Sequence, residues 1–112
     1  MINDVRIKKM IGDIVEKIKE GYSPEKIILF GSYARGQPQE DSDIDLLIIK
    51  ETDERPMERW LKVRRIVRDS SRKIVVSPFV YTPAEIEHRF KLGDFFLKGI
   101  FKEGELLYER RP

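Results

Sequence analysis

Two aspartates separated by one residue open the apolar run DIDLLII at residues 43–49, and this pattern limits what the segment can become. Successive side chains of a strand alternate between its faces, so Asp43 and Asp45 project to one side while Ile44 and Leu46 turn into the core. Carboxylates held side by side repel each other unless a cation lies between them, and hard oxygen ligands suit Mg²⁺. The pair therefore predicts half of a metal site, although an isolated Asp-x-Asp is more often an exposed pair that only aids solubility.

A second feature lies upstream, where the apolar run KIILF at residues 26–30 has the length of a strand and ends abruptly at Gly31 and Ser32. Glycine lets the backbone approach a ligand closely. One or two helical turns are expected next, and their free N–H groups attract phosphate. The Ser32 hydroxyl and the Arg35 charge could add to such a phosphate cradle. The alternative is a plain strand-to-helix turn with Arg35 in solvent.

Together, these two features resemble the signature of the DNA polymerase β nucleotidyltransferase superfamily. The wording GSYARG at residues 31–36 and SDIDLLI at residues 42–48 is similar to its smallest branch, the minimal nucleotidyltransferase (MNT) proteins. The resemblance continues through a middle helix to residues 80–86 and the closing residues 103–109. It covers nearly the whole chain, so residues 1–112 are interpreted as a single domain.

The resemblance implies an α+β nucleotidyltransferase fold, in which a small mixed β-sheet packs with helices in an α-β-α-β-α-β core. It implies transfer of a nucleoside monophosphate, by analogy AMP from ATP, to an acceptor hydroxyl with two Mg²⁺ ions. Carried over to this chain, Gly31 and Ser32 hold the triphosphate and Arg35 contacts a phosphate. Asp43 and Asp45 are then the catalytic metal ligands.

The chain departs from the family pattern at Ser77, where the strand expected at residues 74–81 should supply a third carboxylate. Three interpretations stay open. Asp41 or Asp69 comes near, or water completes the metal, or the domain binds nucleotide and transfers slowly or not at all. Pro78 removes a ladder hydrogen bond and predicts an edge strand or a bulge.

The resemblance also suggests a partner, because the minimal branch often travels with an all-helical HEPN protein. In such pairs the nucleotidyltransferase serves as antitoxin and can add AMP to a tyrosine of the toxin. A different function is kept as the alternative: a catalytically weakened nucleotide-binding module that neutralises its partner by contact. Ser77 is the feature that favours this alternative.

Composition limits the remaining classes of function. The chain has no cysteine, which excludes disulfides and cysteine-based zinc or redox chemistry, and its one histidine, His88, is expected at the surface. The 22 basic and 20 acidic residues give a net charge of only +2, whereas a nucleic-acid binder normally shows a larger excess. No apolar run approaches the ~20 residues that span a bilayer, and no signal pattern is evident, so a cytoplasmic location is expected.

Capping residues and apolar stripes predict the helix boundaries. Asn3 is the expected cap of a first helix that ends at Gly21. A second helix is expected from Pro56 to about residue 70, with an apolar stripe toward the sheet and a basic face in solvent rather than on a phosphate or a partner. The predicted inward stripe is Trp60, Leu61, Val63, Ile66 and Val67, and the basic face is Lys62, Arg64, Arg65 and Arg68.

Two further caps are predicted near the end of the chain. Thr82-Pro83-Ala84-Glu85 reads as a capping box, so Glu85 is interpreted as a helix cap and not as a catalytic acid. Asp94 is the expected cap of a last helix whose apolar stripe is interpreted as core, with a partner surface as the alternative. That stripe consists of Phe95, Phe96, Leu97, Ile100 and Phe101, and Trp60 and Tyr33 carry the same ambiguity.

Overall fold

The computed structural model describes residues 4–111 as a four-stranded sheet with helices on both faces. This arrangement is the predicted α+β class. The elements in chain order are α1 (Val5–Tyr22), β1 (Lys26–Phe30), β2 (Ile44–Ile49), α2 (Pro56–Val67), β3 (Val76–Tyr81), α3 (Pro83–Lys91), α4 (Phe95–Glu103) and β4 (Glu105–Glu109). Within the described residues no helix combines the length and the apolar character needed to cross a membrane.

The sheet is mixed and has the strand order β3-β2-β1-β4. β2 pairs with β3 in parallel, which requires the crossover through α2, and the other two pairs are antiparallel. Pro78 lies in β3 at the edge of the sheet, as predicted. The register sets Asp45 opposite Phe30 on one side and opposite Ser77 on the other. Three residues from three strands therefore share one position across the sheet.

Both faces of the sheet are covered, which explains why residues 46–49 form a continuous apolar run rather than alternating with polar residues. Helices α1 and α2 cover one face, where the buried strand residues are Ile27, Leu29, Ile44, Leu46, Ile48 and Val76. Helices α3 and α4 cover the other face, where Ile28, Leu47 and Ile49 pack with Ile86, Leu97 and Ile100. Because side chains alternate, Asp45 lies on the face of Leu47, beneath α3 and α4.

The first helix differs from the prediction at both ends. Asp4 caps α1 by accepting hydrogen bonds from the amides of Arg6 (2.9 Å) and Ile7 (3.4 Å), while the predicted cap, Asn3, lies outside the described residues. The predicted end at Gly21 is wrong, because the helix continues to Tyr22 and Ser23 takes the left-handed conformation at φ 51°.

Helix α2 ends at Val67, earlier than predicted, and its inward stripe is rotated relative to the prediction. Val63 and Val67 are buried, but Trp60 is 41% exposed and Leu61 is 39% exposed, so their assignment to the sheet-facing stripe is wrong. Arg59 occupies the inward position one turn before Val63. The predicted stripe contained only apolar residues and did not include a buried arginine.

The last two helices confirm their predicted caps. Thr82 accepts a hydrogen bond from the Glu85 amide, and its own amide donates to Glu85 Oε1, which completes the capping box. Asp94 accepts from the Leu97 amide at 3.1 Å. In α4 the predicted core stripe is only partly buried: Leu97 and Ile100 are inside, whereas Phe95, Phe96 and Phe101 are exposed. β3 begins at Val76, two residues later than expected.

Candidate active site

A close approach between Gly31 and Asp45 forms one side of the candidate site. Gly31 follows β1 with φ +78°, a conformation that side chains disfavour. A Cβ built on Gly31 would overlap Asp45 Oδ2. Only glycine therefore allows the turn to lie directly against this carboxylate, and the structure brings together the two motifs that the sequence set fourteen residues apart.

The segment after Gly31 forms one α-type turn within a run of hydrogen-bonded turns, so it is shorter than a helix and matches the lower end of the predicted one or two helical turns. Arg35 N donates to Gly31 O (3.1 Å), Gly36 N to Tyr33 O (3.2 Å), and Gln37 N to Ser32 O (3.0 Å). A positive φ of 73° at Gly36 is incompatible with helix continuation. The first of these bonds closes one α-type turn. The amides of residues 32–34 lie inside that turn and can donate to a ligand, as the first amides of a helix do.

Tyr33 anchors this turn in the hydrophobic core. Its side chain is buried against the core beneath α1 and α2, which settles its ambiguity in favour of core packing. Burial raises the pKa of the Tyr33 phenol, and the negative charge of Asp43 raises it further. Tyr33 therefore anchors the turn in the core, and its phenol lies within the electrostatic influence of Asp43.

Asp43, Asp45 and Ser77 form the other side of the site. Asp45 belongs to β2, Asp43 directly precedes that strand, and both side chains are half-buried. The Ser77 hydroxyl donates a hydrogen bond to Asp43 Oδ2 at 2.8 Å. Serine in place of an acid thus adds a donor that holds one carboxylate oxygen of Asp43, a contact that the sequence did not reveal.

The electrostatics of the pair suit a bound cation. Burial raises the pKa of Asp45, the charge of Asp43 raises it further, and Arg35 lowers it in part. The exposed Arg35 is therefore close enough to compensate some of the negative charge, but not all of it. Carboxylate oxygens beside an open glycine turn are ligands that Mg²⁺ accepts. The residues present fit a divalent cation that is completed by phosphates and water.

The described part of the chain brings no third acidic ligand to the pair. Among residues 4–111, no group of three His, Cys, Asp or Glu side chains is arranged to hold a metal. The hypothesis that Asp41 or Asp69 completes such a group is wrong for the described chain. Asp69 instead accepts hydrogen bonds from the Ser71 amide (2.9 Å) and hydroxyl (2.6 Å), in a cleft that it shares with α1.

An aromatic cluster adjoins the carboxylates on the same face of the sheet, and it was missed in the sequence. The ring centroids of Phe30, Phe79 and Phe96 lie 5.4 to 5.8 Å apart in edge-to-face and tilted arrangements. Phe79 lies two residues after Ser77 on β3, so the two side chains share a face. The strand period could have paired Ser77 with Phe79, but the contribution of Phe96 from α4 depends on tertiary packing.

The structure sets a glycine turn against paired carboxylates on a small mixed sheet, the arrangement that the resemblance implies for an enzyme that transfers nucleotides. Residues 11–107 match the family model described as nucleotidyltransferase domain. The chain belongs to this family and is a nucleotidyltransferase.

Relatives of known sequence agree with this assignment. The chain is 30% identical over 114 residues to the provisionally named protein adenylyltransferase MJ1305 of Methanocaldococcus jannaschii, an alignment that covers 97% of this chain and 76% of the relative. It is 36% identical over 107 residues to the provisionally named protein adenylyltransferase MJ0604 of the same organism, covering 90% and 97% of the two chains.

A solved structure agrees at the level of the fold. A provisionally named nucleotidyltransferase from Sulfolobus solfataricus superimposes with a TM-score of 0.65 at 25% sequence identity. The superposition covers 95% of this chain and 83% of that chain. The α+β nucleotidyltransferase fold expected from the sequence is confirmed. The predicted α-β-α-β-α-β order is wrong, because β1 and β2 pair as antiparallel neighbours without a helix among the described residues between them.

Proposed function

We propose that this chain transfers AMP from ATP to a hydroxyl group of a partner protein in a magnesium-dependent reaction. The observation that carries the proposal is the contact of the Gly31 turn with Asp45, beside an Asp43 carboxylate held by Ser77. The names of the two relatives support the adenylyl group and the protein acceptor.

Asp43 and Asp45 would hold the magnesium ions through their carboxylate oxygens. Magnesium supplies charge neutralisation of the phosphates and of the leaving pyrophosphate when it is bound. The chain itself contributes the positions of the charged groups. The buried backbone of β2 and the bond from Ser77 fix the carboxylates, so little reorganisation is needed when the triphosphate arrives.

The turn after β1 would bind the triphosphate. The amides of residues 32–34 offer donors, the Ser32 hydroxyl adds another, and Arg35 adds a positive charge. In the proposed reaction the acceptor oxygen forms a bond to the α-phosphorus while the bond from that phosphorus to the bridging oxygen breaks. Pyrophosphate leaves, and the proton of the acceptor hydroxyl is released to water. Ser77 has no ionised form near neutral pH and therefore does not accept this proton.

The proposed acceptor is a tyrosine hydroxyl of an all-helical HEPN-type partner, with the chain as the antitoxin of the pair. The resemblance of residues 31–36 and 42–48 to the minimal nucleotidyltransferase branch supports this partner. The nearly balanced charge of the chain supports a protein acceptor over a nucleic acid.

Ser77 favours a second candidate, a nucleotide-binding module that neutralises its partner by contact. The described residues bring no third acid to Asp43 and Asp45, and a two-carboxylate site binds metal less strongly than a three-carboxylate site. This candidate predicts magnesium-dependent nucleotide binding without transfer.

A labelling experiment separates the two candidates. The co-purified partner is incubated with Mg²⁺ and ATP labelled at the α-phosphate, and in parallel with ATP labelled at the γ-phosphate. Adenylyl transfer places only the α-label on the partner. Asp43→Asn and Asp45→Asn should lower this labelling about 100-fold or more. Each variant weakens the binding of the magnesium that would compensate the negative charge of the transition state. Asp41→Asn, an exposed acid outside the pair, is the matched control and should label normally.

Calorimetric titration with a non-hydrolysable ATP analogue, with and without Mg²⁺, completes the comparison. Magnesium-dependent binding without any label on the partner would favour the contact-only module. Retained labelling in both single Asn variants would reject Asp43 and Asp45 as the metal ligands. Absence of nucleotide binding by the wild-type chain would overturn both candidates.

A further inference from the structure

We propose that a small cavity beside the Gly31 turn binds the nucleobase of the triphosphate, an inference that rests on the proposed nucleotidyl transfer. The cavity has a volume of about 270 Å³ and lies between the end of β1 and helix α4. Its walls include Phe30, Gly31, Arg35, Phe96 and Glu103. We call it the α4 cavity. Whole ligands of drug size usually occupy cavities of roughly 300–1,000 Å³, so this one suits a single ring system rather than an entire nucleotide.

The aromatic lining gives the α4 cavity its chemistry. Phe30 and Phe96 both line it, and their ring centroids lie 5.7 Å apart. Phe96 remains 50% exposed although it belongs to a three-ring cluster, so it offers apolar ring surface to a ligand. Every nucleobase has a π-face that stacks on such a ring.

The position of the α4 cavity connects it with the phosphate turn. Gly31 contributes to the cavity wall and also lies against Asp45. Arg35 contributes to the same wall and brings a positive charge beside the Gly31 turn. Phe30 is opposite Asp45 in the β1–β2 ladder. A base in the cavity would therefore leave its triphosphate at the Gly31 turn, next to the carboxylates.

A larger cavity elsewhere in the protein does not have this connection. It has a volume of about 780 Å³, lies between α2 and α3, and is lined by residues that include Arg59, Trp60 and His88. None of the candidate site residues Gly31, Asp43 and Asp45 contributes to its wall. This cavity is larger than the α4 cavity, but the continuity of the α4 cavity with the carboxylates makes the α4 cavity the better site for the base.

The test compares a ligand that has a base with one that lacks it. Binding of a non-hydrolysable ATP analogue and of inorganic tripolyphosphate is measured by calorimetry in the presence of Mg²⁺. Phe96→Ala should weaken the ATP analogue about 5- to 150-fold, the range expected for loss of one stacked ring, and should leave tripolyphosphate unchanged. Phe95→Ala is the matched control, because Phe95 is 88% exposed and does not line the cavity. It should change neither affinity.

A second variant fills the cavity instead of enlarging it. Gly99 lies in α4 and lines the cavity, and a Cβ built on it meets no atom within 4 Å. Gly99→Leu should therefore fold well, since leucine is a better helix former than glycine, and should weaken only the ATP analogue. Gly12→Leu is the control, because Gly12 is a helical glycine of α1 with the same open surroundings and lies outside the α4 cavity.

Each outcome has a distinct meaning. Equal affinities of the wild-type chain for both probes, with no effect of Phe96→Ala or Gly99→Leu, would overturn the base site and leave the proposed transfer standing. Loss of partner labelling in Phe96→Ala at unchanged nucleotide affinity would overturn it by assigning the cavity to the acceptor. A change of oligomeric state alone would assign it to a second copy of the chain. Base-dependent binding without any transfer would support the base site and count against the proposed enzyme function.

Discussion

The Ser77 hydroxyl donates a hydrogen bond of 2.8 Å to Asp43 Oδ2, although the ladder between β2 and β3 sets Ser77 opposite Asp45. The bond therefore runs diagonally across two strands and ties the residue before β2 to the edge strand β3. The serine contributes a hydrogen-bond donor in a fixed position and no negative charge. Ser77 thereby positions one carboxylate of the candidate metal pair and does not act as a third ligand of the acidic kind.

Replacing Ser77 by alanine should slow transfer while the fold stays intact. A hydrogen bond of this kind contributes roughly 1 kcal/mol, which corresponds to a loss of about fivefold in the transfer rate. Single-turnover labelling of the partner measures the effect. Ser71→Ala is the control, because it removes a serine–aspartate hydrogen bond of 2.6 Å to Asp69, away from the site. Equal effects of the two variants on transfer would contradict a specific role of Ser77.

Replacing Ser77 by aspartate distinguishes the two candidate functions. In a working transferase, Ser77→Asp removes the donor to Asp43 and adds a third negative charge beside a pair that already repels. Transfer should then stay level or fall at low Mg²⁺ concentration. A chain that is silent because it lacks a third carboxylate should instead gain transfer. Labelling across a Mg²⁺ titration gives the answer, and a large gain from a silent wild type would reject the proposed AMP transfer in favour of the contact-only module.

Gly31→Ala should disable the site beyond its cost in stability. The positive φ of Gly31 disfavours a side chain by roughly 1–2 kcal/mol, and the new Cβ would also displace the Asp45 carboxylate. Gly93 has the same φ of +78°, but a Cβ built there meets no atom within 4 Å. Gly93→Ala should therefore lose similar stability in thermal unfolding and keep full nucleotide binding. A Gly31→Ala variant with wild-type binding would show that the contact with Asp45 is unimportant.

Sequence patterns within a single segment predicted those parts of the site that one segment forms alone. The strand period placed Asp43 and Asp45 on one side, and the glycine after a strand-length run placed the turn. The caps at Thr82 and Asp94 were predicted for the same reason, since a cap depends on residues only three positions apart. Each of these features is determined within a few residues of sequence.

Features that depend on distant segments could not be predicted in this way. Arg59 is buried in place of Trp60, because its guanidinium donates to the carboxylate of Glu85 on another helix. The bond between Ser77 and Asp43 depends on the register of a parallel pair whose strands are linked through α2. Gly21 lies inside its helix, and its missing side chain makes room for Ile66 of α2: a Cβ on Gly21 would be 3.0 Å from Ile66 Cδ1. Sequence periodicity carries no information on such pairings.

The ion pair of Arg59 and Glu85 joins α2 to α3 below the larger cavity. Arg59 Nη1 donates to Glu85 Oε1 at 2.7 Å, and Nη2 donates to Oε2 at 3.3 Å. The arginine side chain is 6% exposed and the glutamate side chain is 38% exposed. Glu85 also accepts from the Thr82 amide at 2.8 Å. One carboxylate therefore caps α3 and pairs with a buried cation.

The pH dependence of stability should report this pair. Burial raises the pKa of Glu85, but the hydrogen bonds from Arg59 and Thr82 outweigh burial and bring the pKa below its ordinary value. A lowered pKa in the folded state stabilises the fold fully above the ordinary value of about 4.3, and this stability is lost as the pH falls through the folded-state pKa. Glu85→Gln should cost about 1–3 kcal/mol at pH 7, less than a fully buried pair because of the solvent contact, and the cost should shrink below about pH 4. Denaturant unfolding of both proteins from about pH 7 to 3 gives the difference between their unfolding free energies as a function of pH.

Glu87→Gln is the control, because it breaks only the exposed pair with Lys91 and should stay within about 0.5 kcal/mol of the wild type. A Glu85→Gln difference that is constant with pH would exclude the ionised carboxylate as the source of the stability.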